Sequence, residues 1–252
     1  MPGDDLAGRN VVVLGASSGI GRATAIEAVG HGANALLCGR RKDHLDDVQA
    51  IACGGTVCQV DISDSLGVER LAEEVKRFGP VDALISTVGT SPLKRVEQMT
   101  ETDWITVMKN NVVGINRVVA SLLPSFADGA MVLAFSTEAV LMPRWAMAAY
   151  AASKAALEVS LSGWRREHSR IRFGTIVVGG TFPTDFSRDF DLDLLHTALE
   201  TWTRHGQTTE ALMHTDEVGR VVVGLLASLL PSPGVNMEHV VLRTPSPIVG
   251  SS

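Results

Sequence analysis

The chain has 252 residues, of which 45% are hydrophobic and 20% charged, with a formal net charge of -6 at pH 7. That length suits one large α/β domain or two small ones, and an acidic balance without a basic cluster speaks against nucleic acid as a partner. Aromatic residues make up only 5%, so the core must be built from Val, Leu, Ile and Ala, a bias that suits parallel strands covered by helices on both faces.

Val11 to Leu14 reads as a first strand, followed by the turn Gly15-Ala16-Ser17-Ser18-Gly19-Ile20-Gly21 and a helix from Ile20 to His31. Gly15 lets the chain turn sharply out of the strand, Gly19 lets backbone approach a pyrophosphate, and Gly21 lets the helix pack close to the sheet. The free N–H groups and positive dipole end of that helix then suit phosphate oxygens. A second strand over Ala33 to Cys38 runs into Arg40-Arg41, and a third over Thr56 to Val60 runs into Asp61-Ile62. Further strands are expected at Val81 to Ser86, Ala130 to Phe135, Ile171 to Val178 and His239 to Leu242. Helical patterns lie near 64–78, 102–126, 149–168 and 215–230. This alternation means right-handed βαβ units. The expected fold is one Rossmann-type, doubly wound parallel sheet of about seven strands over residues 1–252. Thr184 to His214, rich in Asp and aromatic residues, reads as a small helical lid rather than a second domain.

Cys38, Cys53 and Cys58 form no C-x-x-C pair and read as reduced thiols of a cytoplasmic protein. Residues 1–8 carry two aspartates and no apolar stretch, unlike a secretory signal. The longest apolar run, Val221 to Leu230, is far short of a membrane span. The seven histidines are scattered without metal-binding spacing, so no metal site is expected.

The chain's one tyrosine, Tyr150, precedes Lys154 by four positions, which puts both side chains on one helix face. A nearby ammonium favours the phenolate and lowers a tyrosine pKa. So tuned, Tyr150 can exchange a proton with a carbonyl or alcohol near neutral pH. Small residues around the pair allow close approach of a neighbour or ligand.

With its G-x-x-x-G-x-G turn and Tyr150-x-x-x-Lys154, the sequence resembles the short-chain dehydrogenase/reductase family, over nearly all of Gly8 to Leu242. The resemblance implies that Gly15, Ser17, Ser18, Gly19, Ile20 and Gly21 line the dinucleotide site. It makes Tyr150 the catalytic acid/base, and has Lys154 also hold the nicotinamide ribose. It places a serine thirteen residues before the tyrosine, where this chain has Thr137, with Ser136 as the neighbouring alternative. A hydroxyl there orients the substrate oxygen. The family's helix asparagine, which supports proton relay, falls on Asn111 after Trp104 and before Gly114, with Asn110 beside it. The family's NNAG stretch reads Ser86-Thr87-Val88-Gly89, with only Gly89 retained. Asp61 and Ile62 match adenine contacts, and Thr184 falls where a threonine meets the carboxamide. The family commonly forms tetramers through its fourth and fifth helices, so a homo-oligomer, a tetramer or a dimer, is expected.

Strand two ends in Arg40-Arg41 and no carboxylate. Carboxylates there hold a ribose 2′-hydroxyl and arginines a 2′-phosphate. NADP is therefore expected rather than NAD, with Arg40 on the phosphate and Arg41 either sharing it or stacking on adenine. The expected activity is hydride transfer between NADP(H) and a carbonyl or alcohol substrate. Leu141, Met142, Trp145, Met147, Phe182, Phe186 and Phe190 suggest that this substrate is small, apolar and uncharged. The alternative is a catalytically weak NADP-binding sensor on the same fold, favoured by Thr137 and the altered NNAG stretch. An isomerase or epimerase holding NAD is disfavoured by Arg40.

Overall fold

The computed structural model describes residues 5–249. The two ends of the span 1–252, including residues 1–4 of the segment compared with a secretory signal, lie outside the described residues. The elements follow as β1 (Asn10–Leu14), α1 (Gly19–Gly30), β2 (Asn34–Gly39), α2 (Lys42–Ala52), β3 (Thr56–Gln59), α3 (Ser65–Phe78) and β4 (Val81–Ser86). Then come α4 (Glu101–Met108), a π-turn (Lys109–Val113), α5 (Gly114–Leu122), β5 (Phe126–Thr137), α6 (Ala148–Glu167) and β6 (Arg172–Val178). The chain ends with β7 (Thr181–Phe182), α7 (Leu192–Arg204), β8 (Met213–His214), α8 (Thr215–Leu229) and β9 (His239–Leu242).

Seven parallel strands form one sheet in the order β3-β2-β1-β4-β5-β6-β9. The order reverses between β1 and β4, and crevices at such a switch point are where open α/β sheets bind ligands. Alternation along β1 serves both faces of the sheet. Val12 and Leu14 pack with Val68, Leu71, Val118 and Leu157 of α3, α5 and α6. Val11 and Val13 pack with Ala25, Leu45 and Val222 of α1, α2 and α8. On that second face a Cβ at Gly219 of α8 would stand 2.8 Å from the backbone of Ala23, so α8 lies directly against α1.

The fold is the expected one, with three differences in detail. Helix α2 was not foreseen, because it buries only Leu45 and Val48 and is otherwise polar or only partly buried. The helix expected over 102–126 is broken by the π-turn, and its last residue, Phe126, opens β5. The lid holds one helix, α7, rather than several short ones, and a two-stranded parallel pairing of β7 with β8 closes its base. Among the described residues no helix is long and apolar enough to cross a membrane. No group of three or more His, Cys, Asp or Glu among them could hold a metal ion.

Candidate active site

A cleft of about 1370 Å³ runs along the C-terminal edge of the sheet, from the β1–α1 turn past Tyr150 to the lid. At one end lies the glycine turn, where Gly15 (φ 88°) and Gly19 (φ 53°) take left-handed backbone that favours glycine. A Cβ at Gly21 would stand 2.1 Å from the Gly15 carbonyl and 2.4 Å from Thr87 Oγ1. Thr87 holds this turn from below. Its N–H and its hydroxyl both donate to the Leu14 carbonyl, each at 3.0 Å. The altered NNAG stretch therefore keeps a structural role through a different side chain. Ser18 begins α1 in extended backbone and makes no side-chain cap bond, and Ser17 to Gly21 line the cleft. A cradle closed to a Cβ at Gly15 and Gly21, beside a helix start without a side-chain cap, fits a dinucleotide pyrophosphate.

Arg40 is exposed at the cleft mouth. Arg41 turns inward, donates to Ser17 Oγ at 3.3 Å and pairs with Asp185 of the lid at 2.6 Å. That contact, with further help from Arg188 and Ser18, holds the Asp185 carboxyl below its ordinary pKa. Asp61 and Ile62 line the cleft after β3, with one Asp61 oxygen accepting from the Ser63 N–H at 2.9 Å. Thr184 packs over the glycine turn, 3.5 Å from where a Cβ on Gly19 would sit.

Midway along the cleft α6 presents Tyr150 and Lys154. Lys154 is 2% exposed, and its Nζ donates to the carbonyls of Val88 at 2.9 Å and Phe135 at 2.8 Å. Burial lowers its pKa to about 8, opposed by the Glu158 carboxylate one turn further on. The expected lowering of the Tyr150 pKa by the lysine is not what the surroundings produce. Burial pushes the phenol up to about 12, against smaller opposing effects of the Arg144 charge and a hydrogen bond with Thr137. The Phe186 ring covers it, with centroids 4.8 Å apart, while Nζ stands 5.9 Å from the Tyr150 ring centroid. Gly89 lies beside both residues, and a Cβ there would meet Nζ at 3.2 Å.

The two hydroxyl candidates on β5 separate by environment. Thr137 meets Tyr150, and its Oγ1 also accepts from the Ala139 N–H at 3.2 Å. Ser136 is 2% exposed and gives its hydrogen to Glu158. Asn111 sits inside the π-turn, fully buried. Its amide donates to the Thr90 carbonyl at 2.8 Å and Ser153 Oγ at 2.9 Å, and its oxygen accepts from the Thr90 N–H at 2.9 Å. Its side chain thus braces the β4–α4 segment against α6, while Asn110 lines the cleft.

At the far end Phe186, Phe190 and Met147 line the cleft as foreseen, whereas Leu141 is 81% and Phe182 63% exposed and both face solvent. Met142 is likewise exposed, and Trp145 packs with Phe190 and Trp202 beneath the lid. The apolar residues of this loop stand out in the sequence and Arg144 does not; its guanidinium lies 5.4 Å from the Trp202 ring centroid. Arg144, Asp185 and Trp202 carry no motif. Trp202 reaches Arg144 because α7 folds back over the cleft, whereas Asp185 of the lid meets Arg41 beside the glycine turn.

Comparison with known proteins agrees with this arrangement. A model of the family described as short chain dehydrogenase matches residues 9–194. An uncharacterised oxidoreductase of Listeria innocua is 28% identical over 209 residues, 79% of this chain and 81% of its own. The 2,3-dihydro-2,3-dihydroxybenzoate dehydrogenase of Escherichia coli is 31% identical over 193 residues, 73% of each chain. A short chain dehydrogenase from Burkholderia cenocepacia, solved in complex with NADP, superposes with a TM-score of 0.81 at 21% identity, covering 95% of this chain and 98% of its own. The matched span takes in the glycine cradle, Thr137, Tyr150 and Lys154, and the chain belongs to the short-chain dehydrogenase family.

Proposed function

We propose that this chain is a cytoplasmic, NADP-dependent reductase of small carbonyl compounds, with Tyr150 as its proton donor. One observation carries the reading: a partly buried phenol, kept protonated at neutral pH, meets Thr137 in the same cleft as a glycine cradle shaped for a dinucleotide. Gly15, Ser17, Ser18, Gly19, Ile20 and Gly21 would hold the pyrophosphate and adjoining ribose, with Asp61 and Ile62 at the adenine and Arg40 and Arg41 at the 2′-phosphate. Gly89, Thr184 and Lys154 would flank the nicotinamide end. When bound, the nicotinamide supplies the hydride. Thr137 orients the carbonyl oxygen. Tyr150 gives its proton to that oxygen as negative charge develops there. Lys154, cationic below about pH 8, favours the resulting phenolate. Asn111 keeps the Thr90 segment against α6, and with it the geometry of Tyr150 and Lys154.

A phenol held protonated at neutral pH is in the state that proton donation to a carbonyl needs. The test is a titration with NADPH and NADH, followed by turnover on ketones and aldehydes. NADPH binding weakened by Arg40→Ala, with turnover lost in Tyr150→Phe, supports the reading, and no binding of either cofactor overturns it. A second reading, an NADP-binding sensor of weak activity, draws on the Phe186 ring packed against Tyr150. Tight NADPH binding without turnover on any carbonyl favours it.

A further inference from the structure

We propose that Arg144 is the specificity residue of the substrate end, binding a carboxylate that the substrate carries beside its reacting carbonyl. The substrate class is then an oxo acid with an apolar body, in place of the uncharged compound expected from the apolar residues alone. This rests on the reductase reading above.

The side chain is held ready on two sides. Its guanidinium stands over Trp202, whose Nε1 donates to the Trp145 carbonyl at 2.9 Å, and one of its nitrogens donates to Glu138. Arg144 lines the cleft and is only about one-fifth exposed. The same carboxylate also lies 3.5 Å from Nε of Arg243, so Glu138 is shared between two guanidinium groups, of which Arg144 is the one that lines the cleft. Among the described residues the Arg144 guanidinium makes a single hydrogen bond, although it carries five N–H donors in a fork that matches a carboxylate. Its charge is felt at the phenol, where it favours ionisation of Tyr150. Arg144 and Tyr150 line the same cleft, so an anion bound to Arg144 shares the cavity of the reacting centre. Met147, Phe190, Leu195 and Leu199 line the rest of this end and would take the apolar body.

The rival role for Arg144 is a strut that only ties the loop before α6 to α7. A strut would not distinguish an acid from its ester. Calorimetric titration of the full chain with phenylglyoxylate and with its methyl ester, without cofactor and at saturating NADP+, separates the two. Wild-type protein is expected to bind the acid about tenfold more tightly than the ester, the usual scale for a charge-assisted hydrogen-bonded pair. Arg144→Met should abolish that preference, while Arg144→Lys, which keeps the charge and checks the fold, should retain part of it. An acid that does not bind, or binds no better than the ester, overturns the proposal. So does a preference that survives Arg144→Met. Failure of NADP+ to bind overturns the reductase reading instead, and the ratio measured without cofactor still judges Arg144.

Discussion

Tyr150 and Lys154 were legible as a pair from their spacing alone, because i and i+4 share a helix face. Their ionisation was not, since it depends on burial, and burial depends on Phe186, which the lid brings from 36 residues further along the chain. Tyr150→Phe should lower kcat by a hundred- to ten-thousandfold, roughly the contribution of a positioned proton donor, with NADPH affinity unchanged in a fluorescence titration. Lys154 also marks stability. Its pKa falls from the ordinary 10.5 to about 8 on folding, so between those values the unfolded chain holds more protons than the folded one and stability rises with pH. Below pH 8 the buried charge weakens the fold by about 3 kcal/mol. The thermal midpoint of the wild type should climb between pH 8 and 10, and that of Lys154→Met should climb less. Equal slopes in the two proteins would remove Lys154 as the cause.

The elements that position the site were legible where their apolar period was strong and obscure where tertiary contacts hold them. Strands β1, β4 and β6 are almost wholly buried and mostly apolar, whereas α2 offers two buried apolar residues and α7 buries only Ala198 and Trp202. The lid segment before α7 crosses the cleft and is pinned by Asp185 to Arg41. Both side chains are partly exposed, so the pair is worth at most about 1 kcal/mol. Freeing Arg41 by Asp185→Asn should tighten NADPH binding a few-fold and leave NADH binding unmoved. An equal change for both cofactors would place the effect in the lid rather than at the 2′-phosphate. The end of α8 depends on Arg172 at the start of β6, which is 6% exposed and donates to the carbonyls of Gly129, Leu229, Ser232 and Val235. Arg172→Met leaves these acceptors without their donor and should cost about 3 kcal/mol in a urea unfolding experiment.

For the molecule as a whole, strand–helix alternation was enough to give the sheet and its parallel sense. The glycine-turn end of the cleft follows from that topology, because the turn lies at the β1–β4 switch point. The substrate end does not follow from it, being assembled from the β5–α6 loop and the lid, which no local pattern joins. Association belongs to this scale too. Val113 of the π-turn and Val159 of α6 are 45% and 73% exposed on the α4–α5 segment and α6, which correspond to the family's fourth and fifth helices, where the resemblance implies contact. Sedimentation should show a dimer or tetramer, and Val159→Glu should give lighter species. A wild-type monomer would dismiss the expectation.

The π-turn gives the α4–α5 segment an unusual intolerance of changes in length. One extra residue in a helix of 3.6 residues per turn rotates everything after it by about 100°. That offset lets α4 set Thr106 and Val107 along the cleft while α5 turns Ile115, Val118, Val119 and Leu122 into the sheet. Deleting a single residue from Lys109–Val113 would restore an ordinary helix and swing one of these faces away from its target. Indels that a surface loop absorbs should be lethal to folding here, and a deletion scan along the helix would find its sharpest drop at those five positions.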